Sequence, residues 1–388
     1  MILAYAVGEK SLRQVGLWGT VSGVAAISDV AILKRLRQSK SWLEALVSAV
    51  LKERVGNGNW PAQRIHLVDA TSISRPGHPG TDWRVHLSLD LATMQIQSVK
   101  LTDVTKGEGL RHFALAPGEL LIADRAYGTA KNIAQVLTAQ ASCVVRMRWS
   151  DFARYRQQGQ PFDVIAWLQE SFSRQAAPIQ SVELQLLYRE KLYPMRLVAC
   201  SLPQEQAEQA RRRAKRKAQR NQVQVTQQTL VVADFVLFIT NLPAAQWSAH
   251  QIVQLYRLRW QVELYFKRLK SILHLDHLRA HDPKLASVYL LAKLLAALLL
   301  DRLSQLFLAQ RFPFDNDRVR PLSLWRLTAL FWTFLTELFT VPFWRLFRLA
   351  DPLRLRRYLC NSPRKRLQQD AFARLFVRSL SVVNVLYA

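Results

Sequence analysis

Three carboxylates stand where the sequence can use them for chemistry. Asp69 follows an apolar run in HLVDATS, Asp124 follows another in LLIADRAYG, and Glu263 sits in YRLRWQVELYFKRLK (256–270). The first two read as acids ending apolar strands, and an acid in that position projects at the carboxyl edge of an open α/β sheet, where sites gather. If the two strands are neighbours, their like charges converge and raise one pKa unless a cation neutralises them. A hard divalent ion with oxygen ligands, Mg²⁺ above all, is the natural partner.

Glu263 lies among Arg259, Lys267, Arg268 and Lys270. In one helix starting near Ser248, residues 256, 259, 260, 263, 267 and 270 recur at three- and four-residue steps along a single face. Glu263 then completes a three-carboxylate metal site, and Arg259 and Lys270 on the same stripe grip phosphates brought to that metal. Lys267 adds charge, and Tyr256 and Trp260 add aromatic surface. Spacing alone leaves the alternative open, since Arg–Glu–Lys ladders are also ordinary solvated helix faces.

The elements that must position these residues follow from local texture. Residues 1–60 read as a helical region with a DNA-binding role, in which SDVAILKRLRQ has Ser28 or Asp29 as its N-cap and SWLEALVSAVLKER forms the next helix. From 61 to 150, β-branched runs broken by Gly and Pro predict strands at RIHLVDATSI, at DWRVHLSLDLATMQIQSVKLTD as a hairpin pair, at ELLIADRAY and at SCVVRMRW, with TAKNIAQVLTAQ helical between the last two. That order implies a mixed α/β sheet. Residues 151–244 read as a β-rich insertion, interrupted by EQAEQARRRAKRKAQRNQ, which holds seven Lys or Arg among residues 211–220. This segment is read as an arm along phosphates, against a solvated helix bridging two strands. The chain is helical again over 245–281, the stretch carrying the third acid, and over 282–388.

The 388 residues carry 54 Lys plus Arg against 28 Asp plus Glu, a formal net charge of +26, and such an excess implies a polyanionic partner or an anionic membrane. Nucleic acid is the commoner of the two. The cysteines Cys143, Cys200 and Cys360 are too far apart for a zinc spacing or a disulfide framework, so reduced thiols in a cytoplasmic protein are expected. No export signal is read at the N-terminus. LTALFWTFLTELFTVPF (327–343) approaches a spanning length, but Glu337 near its middle and Pro342 favour a buried helical hairpin. His274, His277 and His281 lack a firm fourth ligand and are read as phosphate contacts or helix surface, and Asp82, Asp90 and Asp103 as surface acids. No GxxxxGK[ST] stretch supports nucleotide hydrolysis.

Tyr256-x2-Arg259-x3-Glu263-x6-Lys270 resembles, without a gap, the Y-x2-R-x3-E-x6-K signature of bacterial insertion-sequence transposases of the DDE type, and VDATS and IADRAYG resemble that family's aspartate-bearing strands in the right order. The likeness covers about residues 61–275. It implies an RNase H-like catalytic core with a β-rich insertion between the second and third acids, flanked by helical N- and C-terminal regions. It also implies Asp69, Asp124 and Glu263 as ligands of two Mg²⁺ ions, which Mn²⁺ can replace, and Arg125 as a DNA contact. Related transposases have a tryptophan in the last insertion strand that stacks on a flipped base; the matching position in ADFVLFITNL is Phe235, a departure that puts base capture in question. The expected activity is strand cleavage and strand transfer on double-stranded DNA, namely terminal inverted repeats and target. It proceeds cut-and-paste with a hairpin intermediate, in a homodimeric end complex, in the cytoplasm at the nucleoid and without a membrane partner. A catalytically silent DNA-binding remnant and a membrane-surface protein are the alternatives.

Overall fold

The computed structural model describes residues 1–56, 64–173, 177–309 and 324–340. The chain divides into two compact units, Met1–Leu36 with Thr336–Ala388, and Arg37–Leu335. In the first, α1 (Ile2–Ala6) and α2 (Leu12–Val21) are followed by the start of α3 (Asp29–Gln38). A capping box between Ser11 and Gln14 opens α2, and Ser28 accepts from the Ala31 N–H at the head of α3, so the expected cap is in place. Trp18 packs edge-on against Phe339, with ring centroids 5.4 Å apart.

The second unit begins in the last residues of α3, continues in α4 (Lys40–Gly56) and is organised by one mixed sheet. Its elements in chain order are β1 (Ile65–Ile73), β2 (Trp83–Asp90), β3 (Ile96–Asp103), β4 (Leu120–Ala123), α5 (Ala130–Thr138) and β5 (Ser142–Arg146). There follow β6 (Tyr155–Gln157), β7 (Gln160–Pro161), α6 (Val164–Ser171), β8 (Ile179–Tyr188), β9 (Lys191–Ser201), α7 (Gln204–Arg220), α8 (Gln227–Val232) and β10 (Phe235–Thr240). The chain then runs through α9 (Ala249–Arg257), α10 (Trp260–Leu273), α11 (Pro283–Ala309) and α12 (Leu324–Glu337). The strand order is β3-β2-β1-β4-β5-β10-β9-β8-β6-β7, with β1, β4 and β5 parallel and the other pairings antiparallel. The expected β2–β3 hairpin is present. The stretch 151–244 does not form a separate sheet: its last strand, β10, pairs directly with β5 and continues the same one.

Strand residues alternate between faces. Val68, Leu121, Ala123, Cys143, Val145, Leu237 and Ile239 share one buried cluster with Ile133 and Val136 of α5. Asp69, Asp124, Arg146 and Phe238 therefore fall on the opposite face, where α10 packs on β1 and α9 on β5.

Three expectations change. The helix expected to run unbroken from Ser248 is two helices, with a junction at Leu258 and Arg259 tightened by i→i+3 bonds from Arg259 N–H to the Tyr256 carbonyl and from Gln261 N–H to the Leu258 carbonyl. The stretch 327–343 is not a buried hairpin where described: α12 ends at Glu337, Leu330, Phe334 and Leu338 are exposed, and residues 341–343 lie outside the described residues. The long apolar helix in the core is α11, which is apolar enough to cross a membrane by composition, yet 83% of its most apolar window is buried inside the protein. Asp90 is not a surface acid but is 2% exposed, its carboxylate accepting from the N–H and hydroxyl of Thr93 in the β2–β3 turn.

Candidate active site

Asp69 stands mid-strand in β1 rather than at its end, because β1 runs on to Ile73 against β2. Its parallel neighbour β4 stops at Ala123, which is level with Val68. One residue further, Asp69 and Asp124 face each other where the parallel pairing ceases. On the next strand Val145 is level with Ala123, and Arg146 pairs in turn with Phe238. The carboxyl edge thus carries Asp69, Asp124, Arg146 and Phe238 side by side.

The signature residues reach this edge from the helices above. Tyr256, at the end of α9, packs against Phe238 with centroids 4.6 Å apart and the rings tilted by 48°, and donates its hydroxyl hydrogen to Asp124 Oδ1 at 3.3 Å. Arg259, at the N-cap of α10, places Nη1 3.7 Å from Asp69 Oδ2 and donates through Nη2 to Glu263 Oε1. Its Nε is buried without a hydrogen-bond partner. Arg259 therefore joins the first acid to the third, and Tyr256 holds the second.

Burial pushes the Asp69 carboxyl up to about 6. The Ala70 N–H and the Arg259 guanidinium oppose that rise, and the charges of Asp124 and Glu108 add to it. Burial likewise pushes the Tyr256 phenol up to about 12. Tyr127, fully buried beneath the acids, has its ionisation pushed up by burial and by Asp69, and its hydroxyl has no partner.

The other predicted residues spread outward. Arg125 is exposed in the 3₁₀ turn just after Asp124. Trp260 is 58% exposed, Lys267 is exposed and Lys270 half-buried, while α10 turns Val262, Tyr265, Phe266 and Leu269 inward. Phe235 opens β10 and packs against Phe172, with centroids 4.8 Å apart. His274 is the left-handed C-cap of α10, and its ring stacks on His277. Among the described residues, no three His, Cys, Asp or Glu side chains stand close enough together to hold a metal ion, and Arg259 contacts both Asp69 and Glu263. Sequence reasoning missed Phe238, Arg146, Tyr127 and Glu108. The first two follow from strand register once β10 is known to pair with β5, and Glu108 has no sequence signal.

Asp69 in β1 and Asp124 just after β4 stand at one edge of the sheet, and Arg259 ties the helix-borne Glu263 to the first of them. Residues 60–299 match the family described as the transposase DDE domain. The InsL protein assigned as transposase to insertion sequence element IS186A of Escherichia coli K12 is 39% identical over 308 residues, 78% of this chain and 83% of that protein. The transposase for element IS421 of Escherichia coli is 38% identical over 309 residues, with the same shares. A solved piggyBac transposase synaptic complex with hairpin DNA overlays loosely, at a TM-score of 0.43 and 11% identity, over 82% of this chain and 62% of that one. The chain belongs to the DDE-domain transposase family of bacterial insertion sequences, and its activity is that of an enzyme of DNA transposition.

Proposed function

We propose that Asp69, Asp124 and Glu263 together bind two divalent metal ions, Mg²⁺ or in its place Mn²⁺, and that the site cleaves and joins DNA strands of an insertion sequence. The observation that carries this is Arg259, whose guanidinium sits between Asp69 and Glu263 at an edge already shared by Asp124. Carboxylates that share one guanidinium already take a positive charge among them, and oxygen-only donors suit a hard cation. The strand order β3-β2-β1-β4-β5, with acids on β1 and just after β4, supports reading this half of the sheet as an RNase H-like core.

Divalent ions bound there supply Lewis-acid stabilisation to the attacking and leaving oxygens of an in-line displacement. The chain's own residues do the rest. Asp124 is oriented by the Tyr256 hydroxyl, and Glu263 is carried by α10 to the sheet edge. Arg259, with Nε still unpaired, turns from the acids to the scissile phosphate, and Arg125, Lys267 and Lys270 hold neighbouring phosphates. An oxygen of water, and later a DNA 3′-hydroxyl, forms the new bond to phosphorus. The old P–O3′ bond breaks, and the attacking group's proton passes to solvent. Trp260, exposed at the start of α10, and Phe235 serve an unstacked base while a hairpin forms in a cut-and-paste reaction by a homodimer at the bacterial nucleoid.

Incubation of the protein with DNA from the ends of its element, with and without Mg²⁺, tests the reading. Metal-dependent nicking at the end, followed by a product that reanneals at once after denaturation, is expected. Cleavage of equal rate in EDTA overturns it.

A further inference from the structure

Helix α7 leaves the sheet at Ser201, the end of β9, and the chain returns through α8 at Phe235, the start of β10. Phe238 is level with Arg146, the last residue of β5, so this connection springs from the same carboxyl edge that bears Asp124. Arg211 fixes α7 to the sheet by donating through Nη1 to both carboxylate oxygens of Asp234 at 2.7 Å. At 3.6 residues per turn, Ala207, Ala214 and Ala218 share the Arg211 side, and Ala207 is buried there. The opposite face carries Arg212, Arg213, Arg216, Lys217 and Arg220, all exposed.

A solvated helix face mixes its charges along its length, whereas here the one acid beside the cluster, Glu208, pairs with Arg212 at 3.7 Å and the rest of the face is basic. The acids Glu205 and Glu208 lie in the N-terminal part, and no acid follows Glu208. The pairs Arg212/Arg216, Arg213/Lys217 and Arg216/Arg220 are like charges four residues apart, each destabilising the free helix by about 0.2–0.5 kcal/mol. A partner that offsets such repulsion is a dense polyanion. From 212 to 220 the helix rises about 12 Å, a length over which duplex DNA presents roughly seven phosphates, against the five cations of the outward face and Lys215 beside them. An anionic membrane fits poorly, since an interfacial helix needs a large apolar face and α7 offers alanines turned to the protein.

We propose that the outward face of α7 is a second, sequence-independent clamp for the backbone of duplex DNA, lying beside the acid site on the same sheet edge. This rests on the reading that the chain acts on DNA. The test combines R212Q, R213Q, R216Q, K217Q and R220Q in the full chain. A parallel variant carries Lys at the four Arg positions. Binding to a random-sequence duplex is measured by anisotropy across a salt series, with circular dichroism as the folding control. The Gln variant should lose roughly four to five units of the slope of log K against log salt, and the Lys variant should keep the parent slope.

A Gln variant with the parent slope overturns the clamp. So does a Gln variant that keeps that slope while losing flotation with phosphatidylglycerol vesicles, which points to a membrane instead. If the Gln variant is misfolded, the single variants R213Q and R220Q decide: each should lose about one slope unit, and no loss in either overturns the proposal. Parent protein that nicks its end while the slopes coincide refutes the clamp alone, whereas parent protein that neither binds nor nicks DNA refutes the proposed function as well.

Discussion

Tyr256 donates its hydroxyl hydrogen to Asp124 at 3.3 Å across 132 positions of sequence. The tyrosine hydroxyl holds the second acid while Phe238 packs against the tyrosine ring at a 48° tilt. Tyr256→Phe keeps the ring and removes only the bond, worth about 1 kcal/mol. Single-turnover cleavage should slow about fivefold with DNA affinity and melting temperature nearly unchanged. An unchanged rate would deny Tyr256 any part in placing Asp124.

Asp69 gives a pH signature. Its carboxyl is pushed from 3.8 up to about 6 in the folded chain, first by burial and then by Asp124 and Glu108. The folded state therefore holds a proton that the unfolded state has released, so this contribution to stability is full below about pH 4 and is lost as pH rises through about 6. The cost at neutral pH is on the order of 2–3 kcal/mol. Asp69→Asn should stabilise the metal-free protein by about that much near neutrality and by almost nothing near pH 4. Denaturant melts at the two pH values check it, and an equal gain at both contradicts it.

Arg259 should serve two masters. With its side chain only 12% exposed between two carboxylates, its loss leaves them uncompensated. Arg259→Gln should lower metal-free stability by about 1–3 kcal/mol and enlarge the upward shift in melting temperature caused by Mg²⁺. As phosphate grips, Arg259 and Lys270 should each account for roughly one unit of the salt slope of DNA-end binding. Gln variants at both positions with parent slopes would return the helix to a solvated face.

Much of this edge was legible beforehand. β-branched runs marked β1, the β2–β3 hairpin and β4, and Asp124 directly after β4 marked the edge, because local propensity and tertiary placement agree there, whereas Asp69 proved to lie inside β1. The junction at Leu258–Arg259 was not, since no Gly or Pro between Ala245 and Asp282 punctuates it and the break serves contacts with Asp124 and Asp69 on distant strands. Nor was the pairing of β10 with β5: a strand run shows its own pattern but not its neighbour. The exposed apolar face of α12 was hidden for a similar reason, as hydropathy records composition rather than what covers it.

Phe235 packs on Phe172, so alanine there would cost stability as well as any stacking. Phe235→Leu keeps apolar volume and removes the aromatic face, and stacking one base is worth roughly 1–3 kcal/mol. Hairpin yield should fall about tenfold while the first nick, which needs no extruded base, proceeds at the parent rate. Equal loss of both steps on one fluorescent end would remove Phe235 from base capture.

If Asp69, Asp124 and Glu263 form one metal site for phosphoryl transfer, each is indispensable, and Glu263 tests this most sharply because it comes from a helix rather than the sheet. The decisive measurement is strand cleavage and DNA binding by Asp69→Ala, Asp124→Ala and Glu263→Ala on the same element-end fragment in Mg²⁺. Each variant should bind the fragment within about threefold of the parent and cleave it at least about a thousandfold more slowly. Cleavage by Glu263→Ala at the parent rate would contradict the shared metal site.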